Sequence, residues 1–200
     1  TVYPSTNGEG TAYILADSDS RVVFAENQAQ LDKLLEHREE LPHVSKVVVF
    51  DDVDVPESAT DWVIDLGDLD DLGAALLADQ PDRIETVAAS IAPDQLATLI
   101  YTSGTTGNPK GVRLRHRSWV YEGEATKAQG TLSAEDLQFL WLPMAHSFGK
   151  VLLSTQLAVG HATAIDGRVD KIVENLGVVR PTFMGAAPRI FEKAYGRILS

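Results

Sequence analysis

The chain has 200 residues, 44% hydrophobic and 23% charged, which is enough apolar material for a core in one domain or a tight pair of domains. A formal net charge of -12 argues against nucleic acid as a partner, since basic surface is needed to displace counterions, and against polybasic attachment to anionic membranes. With no cysteine there are no disulfides or thiolate metal sites, and no apolar run is long enough to span a bilayer.

Residues 1–10, with Pro4, Asn7, Gly8 and Gly10, read as a loop, and 9–17 as a short helix. The β-branched run at 21–25 predicts a buried parallel strand. Asn27 is placed to cap a helix over 28–37 that carries Leu31, Leu34 and Leu35 and is broken by Pro42. Residues 46–50 (Lys-Val-Val-Val-Phe) predict a second buried strand, and strand–helix–strand at this spacing predicts a parallel sheet. Nine acidic residues lie between Asp51 and Asp71. Oxygen ligands in that number suit calcium or magnesium, but the spacing and glycine of an EF-hand are missing, so the stretch reads as a solvated connector. Short helices are expected at 69–78 and 82–89, with Pro81 between them. The run 96–100 (Leu-Ala-Thr-Leu-Ile) has strand character, and 111–115 reads as a returning strand. A helix follows from His116 or Ser118 to Gln129, ended by Gly130. Next come a capped turn at 132–136, a buried strand at 138–142, a loop at 143–149 and an apolar helix at 150–159 ended by Gly160. A strand at 161–165, a helix at 169–176 stopped by Gly177, and a strand at 181–185 follow. Pro188 opens a final helix, where proline is tolerated. The chain starts at Thr1 without methionine and stops inside an apolar-periodic run, so it reads as part of a longer protein.

Residues 101–112 carry the chemistry: Tyr-Thr-Ser-Gly-Thr-Thr-Gly-Asn-Pro-Lys-Gly-Val. Gly104, Gly107 and Gly111 allow close backbone approach. Thr102, Ser103, Thr105 and Thr106 supply hydroxyl donors and Lys110 a positive charge. Backbone N–H groups, hydroxyls and one cation are what a polyphosphate needs around it. The loop is not a Walker A sequence, because Lys110 stands between Pro109 and Gly111 and no Ser or Thr follows it. A glycine-rich turn between strands is the plain alternative; the concentration of hydroxyls around one lysine favours phosphate.

This stretch resembles the signature of the AMP-forming acyl-adenylating enzymes, which include the acyl-CoA synthetases, the luciferases and the adenylation domains of peptide synthetases. Leu142-Pro143-Met144-Ala145-His146 resembles the Leu-Pro-Leu-Ala-His stretch of that family, and residues 181–193 (Pro-Thr-Phe-Met-Gly-Ala-Ala-Pro-Arg-Ile-Phe-Glu-Lys) resemble a segment of its long-chain synthetases, with Ala187 in place of the usual valine. The opening strand–helix alternation after Tyr3-Pro4-Ser5 is similar to the same group. The resemblance implies an α/β fold of largely parallel sheets with helices on both faces, part of the large N-terminal domain of an adenylate-forming enzyme, with a subdivision near 1–93 and 94–200.

The same resemblance implies a two-step reaction with ATP, Mg²⁺ and coenzyme A. A fatty-acid carboxylate attacks the α-phosphate of ATP, giving acyl-AMP and pyrophosphate, and coenzyme A then displaces AMP to give a thioester. Thr102, Ser103, Gly104, Thr105, Thr106, Gly107 and Lys110 are then the phosphate-binding residues, with Thr102 also a ligand to Mg²⁺. His146, Gly185 and Ala186 are then candidates for the acyl and adenylate pocket; capping of the next helix is the plain alternative for His146. No catalytic residue is assigned within these 200 residues. The Tyr-Gly-X-Thr-Glu and Thr-Gly-Asp motifs, the hinge and the C-terminal domain with its lysine are missing, so the chain is expected not to turn over alone. The expected partners are fatty acid, ATP and coenzyme A, in a cytoplasmic protein compatible with peripheral membrane proximity; the oligomeric state is open. Adenylation of an amino or aryl acid and a non-catalytic phosphate-binding module remain alternatives. His37, His43, His116 and His161 show no i, i+4 pair and do not read as a metal cluster.

Overall fold

The computed structural model describes residues 1–102 and 108–198. The chain divides into two compact units, one built on Val2–Gln95 and the Tyr101–Val112 stretch, the other on Leu96–Ile100 and the chain from Arg113 onward.

In the unit that begins at Val2, helix α1 (Gly8–Asp17) opens at Asn7, whose side chain accepts from the Gly10 N–H at 2.9 Å. This occupies one of the donors that a helix start leaves free. Strand β1 (Val22–Ala25) leads to α2 (Gln28–Glu36), capped by Asn27 through the Gln30 N–H at 3.3 Å. Strand β2 (Lys46–Val49) pairs parallel with β1, Val23 facing Val47 in register. Leu31 and Leu34 of α2 and Ala12 and Leu15 of α1 bury onto Val47 and Val49. Leu31 and Val47 are fully excluded from solvent; burial of one such side chain is worth roughly 1.5–3 kcal/mol.

Two expectations need correction in this unit. Strand β1 is not buried on both faces: only Val23 and Ala25 turn toward the core, while Val22 and Phe24 are 46% and 53% exposed. It is an edge of the sheet, whose order is β1-β2-β3, and Phe24 stacks on Phe50 at 5.9 Å on the outer side. The acidic stretch is also more than a connector. It contains strand β3 (Val63–Asp65), parallel to β2, with Trp62 and Val63 buried and the Trp62 indole N–H donating to the Val44 carbonyl at 2.7 Å. Three residues among aspartates are too few to register as a periodic pattern. Asp65 then caps α3 (Leu66–Asp79) in a reciprocal box with Asp68, and α4 (Arg83–Ser90) follows; neither helix buries a residue.

Strands β4 (Leu96–Thr102) and β5 (Lys110–Arg115) form a two-stranded sheet. Helix α5 (His116–Ala128) ends before Gly130, which takes φ 66° as a helix terminator should. The capped turn is present, with the Ser133 N–H donating to Asp136 at 2.7 Å. Strand β6 (Leu137–Leu140) pairs parallel with β7 (Ala162–Ile165), and helix α6 (Ser147–Val159) crosses between them. Helix α5 lies close against α6: a methyl at Gly123 would stand 2.6 Å from the Ser154 carbonyl and 3.0 Å from Ala158 Cβ.

The expected strand at 181–185 reduces to a single parallel bridge, Gln138 to Phe183. Pro181 has no N–H to give a ladder, and the Gly185 carbonyl is taken by the Trp141 indole N–H at 3.0 Å. The helix after β7 also differs. A 3-10 turn at Val169–Lys171 precedes α7 (Ile172–Val179), which runs through Gly177. Burial of Leu176 and Val179 against Phe139, Trp141 and Ile172 extends it past the glycine. It stops at Arg180, φ 49°, because the residue before Pro181 is disfavoured in the helical region. Helix α8 (Pro188–Ile198) starts at Pro188, as expected.

Candidate functional site

The phosphate-loop candidates fall in the unit built on Val2–Gln95 and Tyr101–Val112. Ser103, Gly104, Thr105, Thr106 and Gly107 lie outside the described residues. The described frame consists of Thr102, exposed at the end of β4, and Lys110, exposed at the start of β5. The two strands pair, so both residues border the same connecting loop.

Tyr101 anchors this frame. Its hydroxyl donates to Asp17 Oδ2 at 2.6 Å. Burial, and then the neighbouring Asp17 carboxylate, push its pKa well above the usual phenol range, so it stays a protonated donor. Its ring crosses Gly111: a Cβ there would stand 3.0 Å from Tyr101 Cζ and 3.2 Å from its oxygen. Gly111 is therefore needed for the close approach of a side chain, beside the residue that carries the cation. The sequence shows Tyr101 only as the first letter of a motif. Its partner Asp17, 84 positions away, gives no sequence signal.

The second group of candidates lies in the other unit. Residues 142–146 leave β6 at its carboxyl end, the edge at which ligands of parallel sheets bind. His146 is exposed and caps α6, its Nδ1 accepting from the Phe148 N–H at 3.2 Å. An accepting Nδ1 is unprotonated, so the neutral ring carries its proton on Nε2, which faces away from the cap. The plain alternative for His146, helix capping, is thus present, and it leaves one ring nitrogen available. Helix α6 starts three residues earlier than its periodicity suggests, because Gly149 lets it nestle onto the loop: a methyl there would meet the Pro143 carbonyl at 2.6 Å and the Leu142 carbonyl at 3.1 Å.

Gly185 lies against the same helix. A Cβ at this position would stand 2.6 Å from Leu152 Cδ1 and 3.4 Å from Phe148 Cζ. The Gly185 carbonyl is held by Trp141, while Ala186 packs with the Phe139, Trp141 and Ile172 cluster. The structure therefore brings His146, Phe148, Leu152 and Gly185 to the first turns of one helix. Phe148, Leu152 and Trp141 carry no motif signal; only their side chains' placement reveals them. Lys150, in the first turn of α6, has its pKa lowered by partial burial.

Among the described residues, no group of three His, Cys, Asp or Glu side chains could hold a metal ion. No helix among them is long and apolar enough to cross a membrane.

The chain is thus a mixed α/β protein with parallel sheets, a hydroxyl-rich stretch that ends at a lysine and a loop at a strand's carboxyl end. The chain belongs to the AMP-binding enzyme family, whose model matches residues 1–196. It is 30% identical over 201 residues to the long-chain-fatty-acid–CoA ligase ACSBG2 of Xenopus laevis, covering 96% of this chain and 26% of that protein. It is 37% identical over 108 residues to fatty acyl-CoA synthetase A of Dictyostelium discoideum, covering 53% of this chain and 16% of that protein. Among solved structures it is similar to the anthranilate CoA ligase AuaEII in complex with anthranoyl-AMP. That match has a TM-score of 0.68 at 21% identity, over 94% of this chain and 34% of that one. A putative long-chain-fatty-acid CoA ligase from Rhodopseudomonas palustris matches with TM-score 0.68 at 19% identity, over 94% of this chain and 43% of that one. These structural likenesses speak to the fold, that of adenylate-forming enzymes. The chain spans about a quarter of the length of the full-coverage curated relatives.

Proposed function

We propose that this chain is the phosphate- and acyl-binding portion of an AMP-forming long-chain fatty acid–CoA ligase, and that it does not turn over by itself. The observation that carries this reading is the frame of Thr102 and Lys110 on paired strands around a loop with the adenylating signature. The identity to a named long-chain-fatty-acid–CoA ligase supports the choice of acid.

The chemistry is dominated by charge. A carboxylate must approach the α-phosphorus of a polyanion, and the new C(O)–O–P bond forms as the bond to pyrophosphate breaks. Lys110 and the loop amides hold the β- and γ-phosphate oxygens and offset their charge. Thr102, Ser103, Thr105 and Thr106 donate to phosphate oxygens. The Thr102 hydroxyl would be a ligand to Mg²⁺ bound with the nucleotide. Mg²⁺ there neutralises phosphate charge. In the other unit, His146 presents Nε2–H as a donor at the entrance, and Gly185, packed directly on Leu152 and Phe148, forms with Ala186 the apolar wall assigned to the acid's apolar part. The thiol of coenzyme A then displaces AMP.

The test is pyrophosphate exchange by a full-length form with a panel of carboxylates. Exchange driven by long-chain fatty acids supports the reading. Exchange driven only by amino or aryl acids replaces the substrate, and no exchange with any acid leaves a non-catalytic phosphate-binding module.

A further inference from the structure

The face of the β6–β7 sheet that carries Gln138 holds a polar cluster that the adenylation reading does not use. Gln138 is fully buried and His161, just before β7, is 2% exposed. Gln138 and Thr163 are register partners, and the Gln138 amide donates to the Thr163 hydroxyl at 3.3 Å. His161 precedes Thr163 by two residues and so sits on the same face. Phe183, bridged to Gln138, sets its ring edge-on to the imidazole at 5.1 Å. Both ring nitrogens of His161 and Oε1 of Gln138 lack hydrogen-bond partners among the described residues.

An imidazolium here needs an acceptor for two N–H groups. The Asp136 carboxylate acts on His161 and favours its charged form. Its oxygens are already committed: Oδ2 accepts from the Ser133 N–H at 2.7 Å and hydroxyl at 3.1 Å, and Oδ1 from the Thr182 hydroxyl at 2.7 Å. Gln138, Thr163 and Phe183 are uncharged, and α6 carries a single ionisable residue, Lys150, in its first turn at the far end from His161. Burial lowers the His161 pKa, and the Asp136 charge opposes this only in part.

We propose that His161 is an acid-labile latch under the sheet that carries the Leu142–His146 loop: a neutral imidazole sealed between β6 and the entry to β7, which cannot take a proton without leaving its place. In the folded chain the ring stays neutral, and in the unfolded chain it titrates near pH ~6.5. The sign follows: the contribution to stability is complete above that value and is lost as pH falls below it. One linked proton changes the unfolding equilibrium by at most about tenfold per pH unit.

Two measurements on the full-length protein test the latch, and neither involves nucleotide or acid substrate, so the substrate reading can fail without it. In the first, urea unfolding of the wild type is compared with His161→Phe. The ratio of their unfolding constants should change by up to about tenfold per unit between about pH 6.5 and about pH 5; a ratio that does not vary with pH overturns the proposal. In the second, which stands even if the variant does not fold, the His161 ring protons are followed by NMR in the native wild type. Their shifts should stay constant from about pH 8 down to the onset of unfolding, and a titration centred near ~6.5 within the folded state overturns the proposal.

Discussion

Gly149→Ala tests whether α6 is seated on the site loop by direct contact. Gly149 is buried in the first turn of the helix, and an added methyl would meet two backbone carbonyls, Pro143 at 2.6 Å and Leu142 at 3.1 Å. Backbone atoms cannot rotate away as a side-chain end can, so helix and loop must separate. Overpacking of this kind costs about 1–3 kcal/mol, and a clash with main chain belongs in the upper part of that range. The better helix propensity of alanine returns up to about 1 kcal/mol. A net loss of about 1–2 kcal/mol is expected, read by urea unfolding with tryptophan fluorescence. Gly73→Ala is the control: Gly73 lies within α3 with nothing inside 4 Å of the added methyl, so a gain of about 0.5–1 kcal/mol is expected. If Gly149→Ala matches or exceeds wild-type stability, the seating of α6 on residues 142–144 is wrong.

His146→Ala removes a helix cap and should cost about 0.5–2 kcal/mol, largely restored by His146→Asn. Equal losses for both variants in urea unfolding would contradict the capping role. Asp166 is held far below the usual carboxylate range by the Arg168 side chain, then by its backbone N–H, with help from Asn175. A depressed folded pKa stabilises above the unfolded value of about 4 and is lost below it. The stability advantage of wild type over Asp166→Asn should therefore shrink as pH falls from about 5 to about 2, and a constant difference in acid unfolding would refute the pairing.

Much of this fold is readable from the residues because its drivers are local. Asn27 followed by Leu31 and Leu34, the run Lys46–Val49, and Pro188 at a helix start are each visible within one turn or one strand. The errors share a cause, which is long-range contact. Trp62 is buried and Val63–Asp65 form a strand because Val44 and β2 lie beside them. Helix α7 passes Gly177 because Val179 is buried against Phe139, Trp141 and Ile172. Phe24 is exposed because β1 is an edge, a fact about topology that its own four residues cannot carry. In the candidate site, the motif letters identify Thr102, Lys110 and His146, since their chemistry is in the side chain itself. Asp17 behind Tyr101, and Phe148 and Leu152 beside Gly185, are brought there by folding alone.

The central claim is that Lys110, at the exit of the loop, holds the phosphates of ATP for attack by a fatty acid. Its most direct test is pyrophosphate exchange by a full-length form with long-chain fatty acid, comparing wild type with Lys110→Ala. The expected result is robust exchange by the wild type and a loss of order 10²–10³ in the variant, the usual effect of removing one preorganised charge-stabilising group. Exchange that is unchanged in Lys110→Ala would contradict the account.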